Sequence, residues 1–159
     1  MSRTNTLWVG LGAVVFGCFG VLGFFGREVY RQAPPIPARV VTASGVEVAT
    51  HEAILDGQEV WQRIGGQQVG SIWGHGAYQA PDWSADWLHR EAMALTDVYA
   101  RETYGVDAAA LDAGPRAALA ERVRSEMRAN TYDPASGAVR ISDARAAAIA
   151  ATAAHYAAL

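Results

Sequence analysis

Residues 7–25 carry no charge and read LWVGLGAVVFGCFGVLGFF. At about 1.5 Å rise per residue such a helix reaches roughly 28 Å, close to the thickness of a hydrocarbon core. The pattern changes after it. Apolar and polar residues alternate over 39–42 and 46–49 around Ser44-Gly45, which predicts a short β-hairpin. Thr50 then suits the cap of a helix running to about Ile64, with Gly65-Gly66 ending it. Ile54, Val60, Trp61 and Ile64 supply its apolar face. Residues 65–83, rich in glycine and holding Pro81, predict a loop. Ser84 is read as the cap of a longer helix ending near Tyr104-Gly105, striped by Trp87, Leu88, Leu95, Val98 and Tyr99. Pro115 suits the first turn of a further helix through Leu119, Val123 and Met127. Asp133-Pro134 and Ser136-Gly137 are turns, and 139–141 is extended. Ser142 caps an Ala-rich helix over 143–159, and no segment repeats.

The apolar stretch is long for a signal peptide. It runs into Gly26-Arg27-Glu28-Val29-Tyr30-Arg31, which offers no small-x-small cleavage site, so a retained anchor is expected. Gly10, Ala13, Gly17 and Gly20 share a face on which another membrane helix can approach. Arg3 on one side and Arg27 and Arg31, offset by Glu28, on the other leave the orientation undecided. The run Ala33-Pro34-Pro35-Ile36-Pro37 is a stiff exit. The expected divisions are an anchor over 1–26, an exit and hairpin over 27–50, and a helical domain over 51–159. The last helix has no Gly, Pro or charged final turn to stop it, so the sequence is read as truncated at that end.

Composition narrows the chemistry. There are 13 basic and 16 acidic residues, a net charge of -3, which gives no nucleic-acid footprint. The one cysteine, Cys18, lies in the apolar stretch, where a thiol is inert, and it excludes an internal disulfide or a Cys-x-x-Cys metal site. His51 and His155 read as surface or packing residues. Asp82, Asp86, His89 and Glu91 gather at the start of the Trp-rich helix and are read as a capping and salt-bridge network, because a metal centre needs more ligands at matched spacing. Trp61, Trp73, Trp83 and Trp87 are first read as core aromatics; the alternative is that some cover a partner's surface beside the membrane.

The run GQEVWQRIGGQQVGSIWGHGAY over 57–78 reads like the haem-attachment segment of a c-type cytochrome without the haem chemistry. A c-type haem needs Cys-x-x-Cys-His. Here the corresponding stretch is Gly66-Gln67-Gln68-Val69-Gly70. Over 57–91 the sequence resembles the start of the quinol-dependent nitric oxide reductases. Their two-subunit relatives carry a Gly-x-Gly-Ala-Tyr-x-x-Pro pattern that Gly74-His75-Gly76-Ala77-Tyr78 and Pro81 match.

The resemblance implies a mainly α fold: one N-terminal transmembrane helix, then a cytochrome c-like helical extracytoplasmic domain with a small β-hairpin. It implies a haem-free, non-catalytic part of an enzyme that reduces two nitric oxide molecules to nitrous oxide with electrons from quinol. Haem b, haem b3 and non-haem iron would lie in a haem-copper-oxidase-like catalytic bundle outside these residues, with none bound by this chain. By similarity to the two-subunit relatives, Gly76 and Tyr78 would lie near a possible calcium at the bundle. Trp73, His75, Trp83 and Trp87 would contact that partner. The setting would be the inner membrane of a bacterium, in contact with lipid, with the soluble part periplasmic. The competing reading is a stand-alone single-pass extracytoplasmic interaction module or accessory subunit.

Overall fold

The computed structural model describes residues 3–72, 74 and 80–158. The chain divides into two units, Met1–Pro35 and Ile36–Leu159. In the first, α1 (Arg3–Gln32) is a single helix with no buried residue. Its best 18-residue window has a mean hydropathy of 2.1, long and apolar enough to cross a membrane. The helix continues past the uncharged stretch because its last turns are tied by polar pairs. Glu28 accepts from Gln32 at 2.7 Å and pairs with Arg31 at 3.5 Å.

The second unit opens with β1 (Arg39–Thr42) and β2 (Glu47–Thr50), the expected hairpin, paired antiparallel with a register shift between Val40 and Val41. It continues through α2 (His51–Arg63), α3 (Gly66–Val69) and α4 (Trp83–Tyr104). A 3-10 turn over Ala108–Ala110 leads to α5 (Ala113–Arg128). Then come β3 (Tyr132–Asp133), β4 (Ala138–Ile141) and α6 (Asp143–Ala157). The hairpin is part of a larger sheet, ordered β2-β1-β4-β3. β1 and β4 run parallel, with Arg39 opposite Ala138 and Thr42 opposite Ile141.

Local chemistry explains the helix ends. Thr50 accepts the Ala53 N–H at 3.1 Å, and Ser142 accepts the Arg145 N–H at 3.0 Å. The cap of α4 is Asp82, not Ser84. Its Oδ1 accepts the Ala85 N–H at 2.9 Å, while Oδ2 accepts from Ser71 Oγ and the Gly74 N–H. A carboxylate with two oxygens holds both the helix start and the preceding loop, which a single hydroxyl cannot do. The segment read as a continuous loop from 65 also contains the one-turn α3, entered through Gly65 at φ 72°, a left-handed conformation that glycine adopts without strain.

The core lies where α4, α5 and α6 meet: Leu95, Tyr99 and Ala100 on α4, Leu119 and Val123 on α5, Ala144 and Ala148 on α6. Ala144, Ala148 and the buried Thr152 recur every four residues, so α6 presents a small-residue face to α4. Thr152 Oγ1 donates to the Ala148 carbonyl at 2.9 Å and leaves no loose hydroxyl there. Burying Glu91 is tolerable because its carboxylate is fully engaged. It accepts from Arg145 Nε at 2.7 Å and Trp87 Nε1 at 3.0 Å.

Leu95 is completely buried at the centre of this cluster. Leu95→Ala is expected to destabilise the chain by about 2–5 kcal/mol, through lost transfer energy and the cavity left behind. Denaturant unfolding of the detergent-solubilised chain measures this. A midpoint equal to that of the parent would place the core elsewhere.

Candidate functional site

Three of the four tryptophans expected in the core, Trp61, Trp83 and Trp87, are not in it. Trp61, Trp83 and Trp87 are half-buried and line an open apolar cleft of about 550 Å³, with Ile64, Val69, Leu88 and Tyr156. The reason is volume. Core space between α4 and α6 is closed down by alanines, so indoles are accommodated only at its edge. Ile64, Val69 and Leu88 are 74%, 63% and 47% exposed. Ile64 and Leu88, assigned by pattern to apolar helix faces, stand at the cleft margin and not in the interior. Val60, also assigned to the apolar face of α2, is 47% exposed.

Two glycines let the loop press on these rings. A Cβ on Gly66 would sit 2.3 Å from Trp61 Nε1. One on Gly70 would sit 2.1 Å from Trp83 Nε1 and 2.8 Å from the Pro81 carbonyl. Gly70 has φ 173°, an extended conformation open to any residue, so crowding alone demands glycine there. In the register of Cys-x-x-Cys-His, the thiols would stand at 66 and 69 and the imidazole at 70. Those positions hold Gly66, Val69 and Gly70, and indoles abut the first and last. Neither the donor set nor the space fits a covalently attached haem.

Trp87 is fixed on two sides. Its ring stacks on Tyr156 at 5.6 Å between centroids and 8° between planes, and its Nε1 donates to Glu91. Tyr156 in turn donates its hydroxyl to Asp86, which also accepts from Arg90 Nε at 2.7 Å. The Arg90 guanidinium lies 5.9 Å from the Tyr156 ring centroid. Hydrogen bonds from Arg90 and then Tyr156 hold the Asp86 carboxyl below the usual range. Burial, and then the hydrogen bond to Asp86, push the Tyr156 hydroxyl up, as expected of a donor to a carboxylate.

The acidic and histidine residues at the start of α4 are dispersed into these separate tasks. Asp82 caps, Asp86 anchors Tyr156, Glu91 anchors Trp87 and Arg145, and His89 faces a groove toward α5. Among the described residues no three His, Cys, Asp or Glu side chains converge. Hydrogen bonds from Ala85, Gly74 and Ser71 occupy Asp82 and hold its carboxyl below the usual range. His51 contacts the Pro37 carbonyl at 3.3 Å, and His155 packs edge-on against Tyr156. Trp73, His75, Gly76 and Tyr78 lie outside the described residues.

Residues 37–159 match a family model for the cytochrome c-like domain of NorB, the nitric oxide reductase component. A search of curated proteins found no match.

Two glycine substitutions should differ in sign. Gly70→Ala is expected to cost about 1–3 kcal/mol by displacing Trp83. Gly57→Ala, with nothing within 4 Å of the new methyl and a place inside α2, should gain roughly 0.5–1 kcal/mol. Unfolding followed by tryptophan emission separates them; equal midpoints would refute the indole contact.

Acid should act through Asp86. Its folded pKa is lowered, so its contribution is present above the unfolded value of about 3.9 and is lost as pH falls through the folded value. The Trp87 environment should therefore hold steady from neutral pH to about pH 4 and loosen below it. Asp86→Asn should remove that acid step from the fluorescence titration. An unchanged step would assign it to another group.

Proposed function

The chain belongs to the family of NorB cytochrome c-like domains of nitric oxide reductase, and from that membership we propose that it is the membrane-anchored, haem-free amino-terminal part of a quinol-dependent enzyme. It docks on the catalytic bundle that reduces two nitric oxide molecules to nitrous oxide, and it seals that bundle from water on the periplasmic side. The bundle carries the haems and the non-haem iron, and this chain makes or breaks no bond in the reaction. α1 holds the domain in the bacterial inner membrane.

The observation that carries this reading is the indole-lined cleft. Its walls are apolar, its margin exposes Ile64, Val69 and Leu88, and three tryptophans line it, Trp87 being held by Tyr156 and Glu91. Apolar area left facing water forfeits roughly 25 cal/mol per Å², so a contiguous patch of this kind marks a surface that a partner covers. Rigid aromatic anchors surrounded by aliphatic residues are the composition of interface centres. In this proposal Trp73, His75, Trp83 and Trp87 contact the bundle. Gly76 lets backbone approach closely there, and Tyr78 offers a hydroxyl to the boundary.

The test is nitric oxide consumption per haem in the full-length enzyme. Leu88→Glu should lower turnover about tenfold or more, because the charge is desolvated on docking yet tolerated on the free domain surface. Gly76→Val should also lower turnover and alter the haem spectra. Tyr78→Phe should be milder, at about 1 kcal/mol for one hydrogen bond. Wild-type turnover and spectra in both Leu88→Glu and Gly76→Val would leave the stand-alone interaction module as the better reading.

A further inference from the structure

A second groove, of about 320 Å³, runs between α4 and α5 and shares no residue with the indole-lined cleft. Its floor is apolar: Val123 is a buried core residue, and Met127 packs against the core. Met93 on α4 lines the same groove at 58% exposed. Thr96 donates its hydroxyl to the Ala92 carbonyl at 2.7 Å, so this wall offers no loose donor. The charged lining is all basic. Arg124 and Arg128, four apart on α5, share a face, and among the described residues no carboxylate lines the groove with them. Exposed Glu121 pairs with Arg124, and Arg128 has no ion pair among the described residues. An adaptable methionine surface beside two guanidiniums, in a chain of net charge -3, calls for an acidic counterpart with an apolar anchor.

The chain carries such a counterpart on α2. Ile54, Gly57, Gln58 and Trp61 share one face of that helix and line a hollow with Ile72 and Ser84. Glu52, Leu55, Asp56 and Glu59 fall on the opposite face, and all four are exposed, Leu55 at 40%. Three carboxylates thus surround one exposed leucine. Arg63 offsets them in part, through its pair with Glu59 at 3.7 Å.

We propose that the α4–α5 groove of one copy of this chain receives the acidic face of α2 from a second copy. Leu55 enters the apolar floor beside Met93 and Met127, and the carboxylates flanking it meet Arg124 and Arg128. This is an amphipathic helix laid in a groove, with an aliphatic anchor supplying area and charge supplying register. Exposed ion pairs hold little by themselves, so they orient the contact more than they tighten it. Every copy carries both faces. α1, long and apolar enough to cross a membrane, would confine copies to one plane and raise their effective concentration. Neither face uses the lining of the indole cleft, so the contact stands whether or not that cleft docks a partner.

The experiment is oxidative cross-linking of the full chain in lipid vesicles, in a Cys18→Ala background that removes the one thiol. A tagged chain with Leu55→Cys is mixed with an untagged chain with Met93→Cys and treated with diamide. The expected product is a disulfide-linked pair holding one of each. It should form about tenfold faster than from a control mixture in which the second chain carries Ala135→Cys, at an exposed turn, because seating concentrates the two thiols. Arg124→Glu with Arg128→Glu in the Met93→Cys chain should slow it about tenfold, since like charges then face each other. Arg128→Glu alone breaks no ion pair among the described residues, should act in the same direction, and decides the matter if the double variant loses its fold. Asp56→Arg with Glu59→Arg in the Leu55→Cys chain should restore the rate against the reversed groove. Association through α1 alone would give equal rates in every mixture. That result, a rate untouched by the groove reversals, or no recovery when both faces are reversed would overturn the contact.

Discussion

The close packing of α4 on the small-residue face of α6 governs the rest of the domain. Leu95 and Ala100 bury completely because Ala144 and Ala148 let the two helices approach. At that distance Arg145 reaches Glu91 at 2.7 Å, with the carboxylate 3% and the guanidinium 20% exposed. The pair is poor evidence of net stability, since desolvation offsets much of the attraction. Its value is positional: leaving either charge unpaired there costs about 3–5 kcal/mol, so the helices are held in one register. The same carboxylate also aims Trp87. One turn earlier, Asp86 joins Tyr156 to Arg90 across the same two helices. The shape of the cleft is thus inherited from a helix pair whose contact is set mainly by alanines.

The sheet ties the ends of the domain together. β1 opens the unit and β4 precedes α6, and their parallel pairing fixes the start of α6 beside the hairpin. Thr42, buried at 2%, shares a hydrogen bond with Ser44, whose hydroxyl donates to Asp143 in the first turn of α6. On the other side Ser142 and Tyr99 both donate to Glu126 of α5, while Arg122 lies over the Tyr99 ring at 3.5 Å. The N-terminus of α6 is held by the hairpin and α5 at once. That fixes where Tyr156, near its other end, meets Trp87.

Much of this was legible in the sequence where the controlling chemistry is local. Thr50 and Ser142 announce their helices because a cap acts within three residues, and Gly105 closes α4 with its positive φ. The hairpin shows through its alternation. The hidden parts depend on distant partners. Nothing near residue 39 reveals that residue 138 will pair with it. Asp82 and Ser84 are equally good caps by type; Ser71 and Gly74 decide between them by needing the second oxygen. Alanine carries so weak a hydropathy signal that the buried face of α6 has no readable stripe. The indoles mislead for the opposite reason, since large aromatic area reads as core whether it is buried by the chain or offered to a partner. Of the candidate site, Trp83 and Trp87 reach the cleft, and Trp61 joins them. Tyr156 escapes a sequence reading because its role depends on α6 packing beside α4.

The misfit to a covalently attached haem is built into both sides of the contact between 66–70 and the indoles. Gly66 and Gly70 are the residues that allow Trp61 and Trp83 to close on the loop, and the indoles leave no room for a side chain at either position. Restoring two thiols and an imidazole at 66, 69 and 70 would force both rings out. It would also remove the apolar walls that now define the cleft. Glycine at those positions and tryptophan opposite therefore form one structural solution, in which the indoles take the space that larger side chains at 66 and 70 would need. Part of that aromatic surface remains exposed, because flat indoles anchored at one edge cannot close a cavity from every direction. The surface left over is apolar and open, the two properties from which the docking proposal is argued.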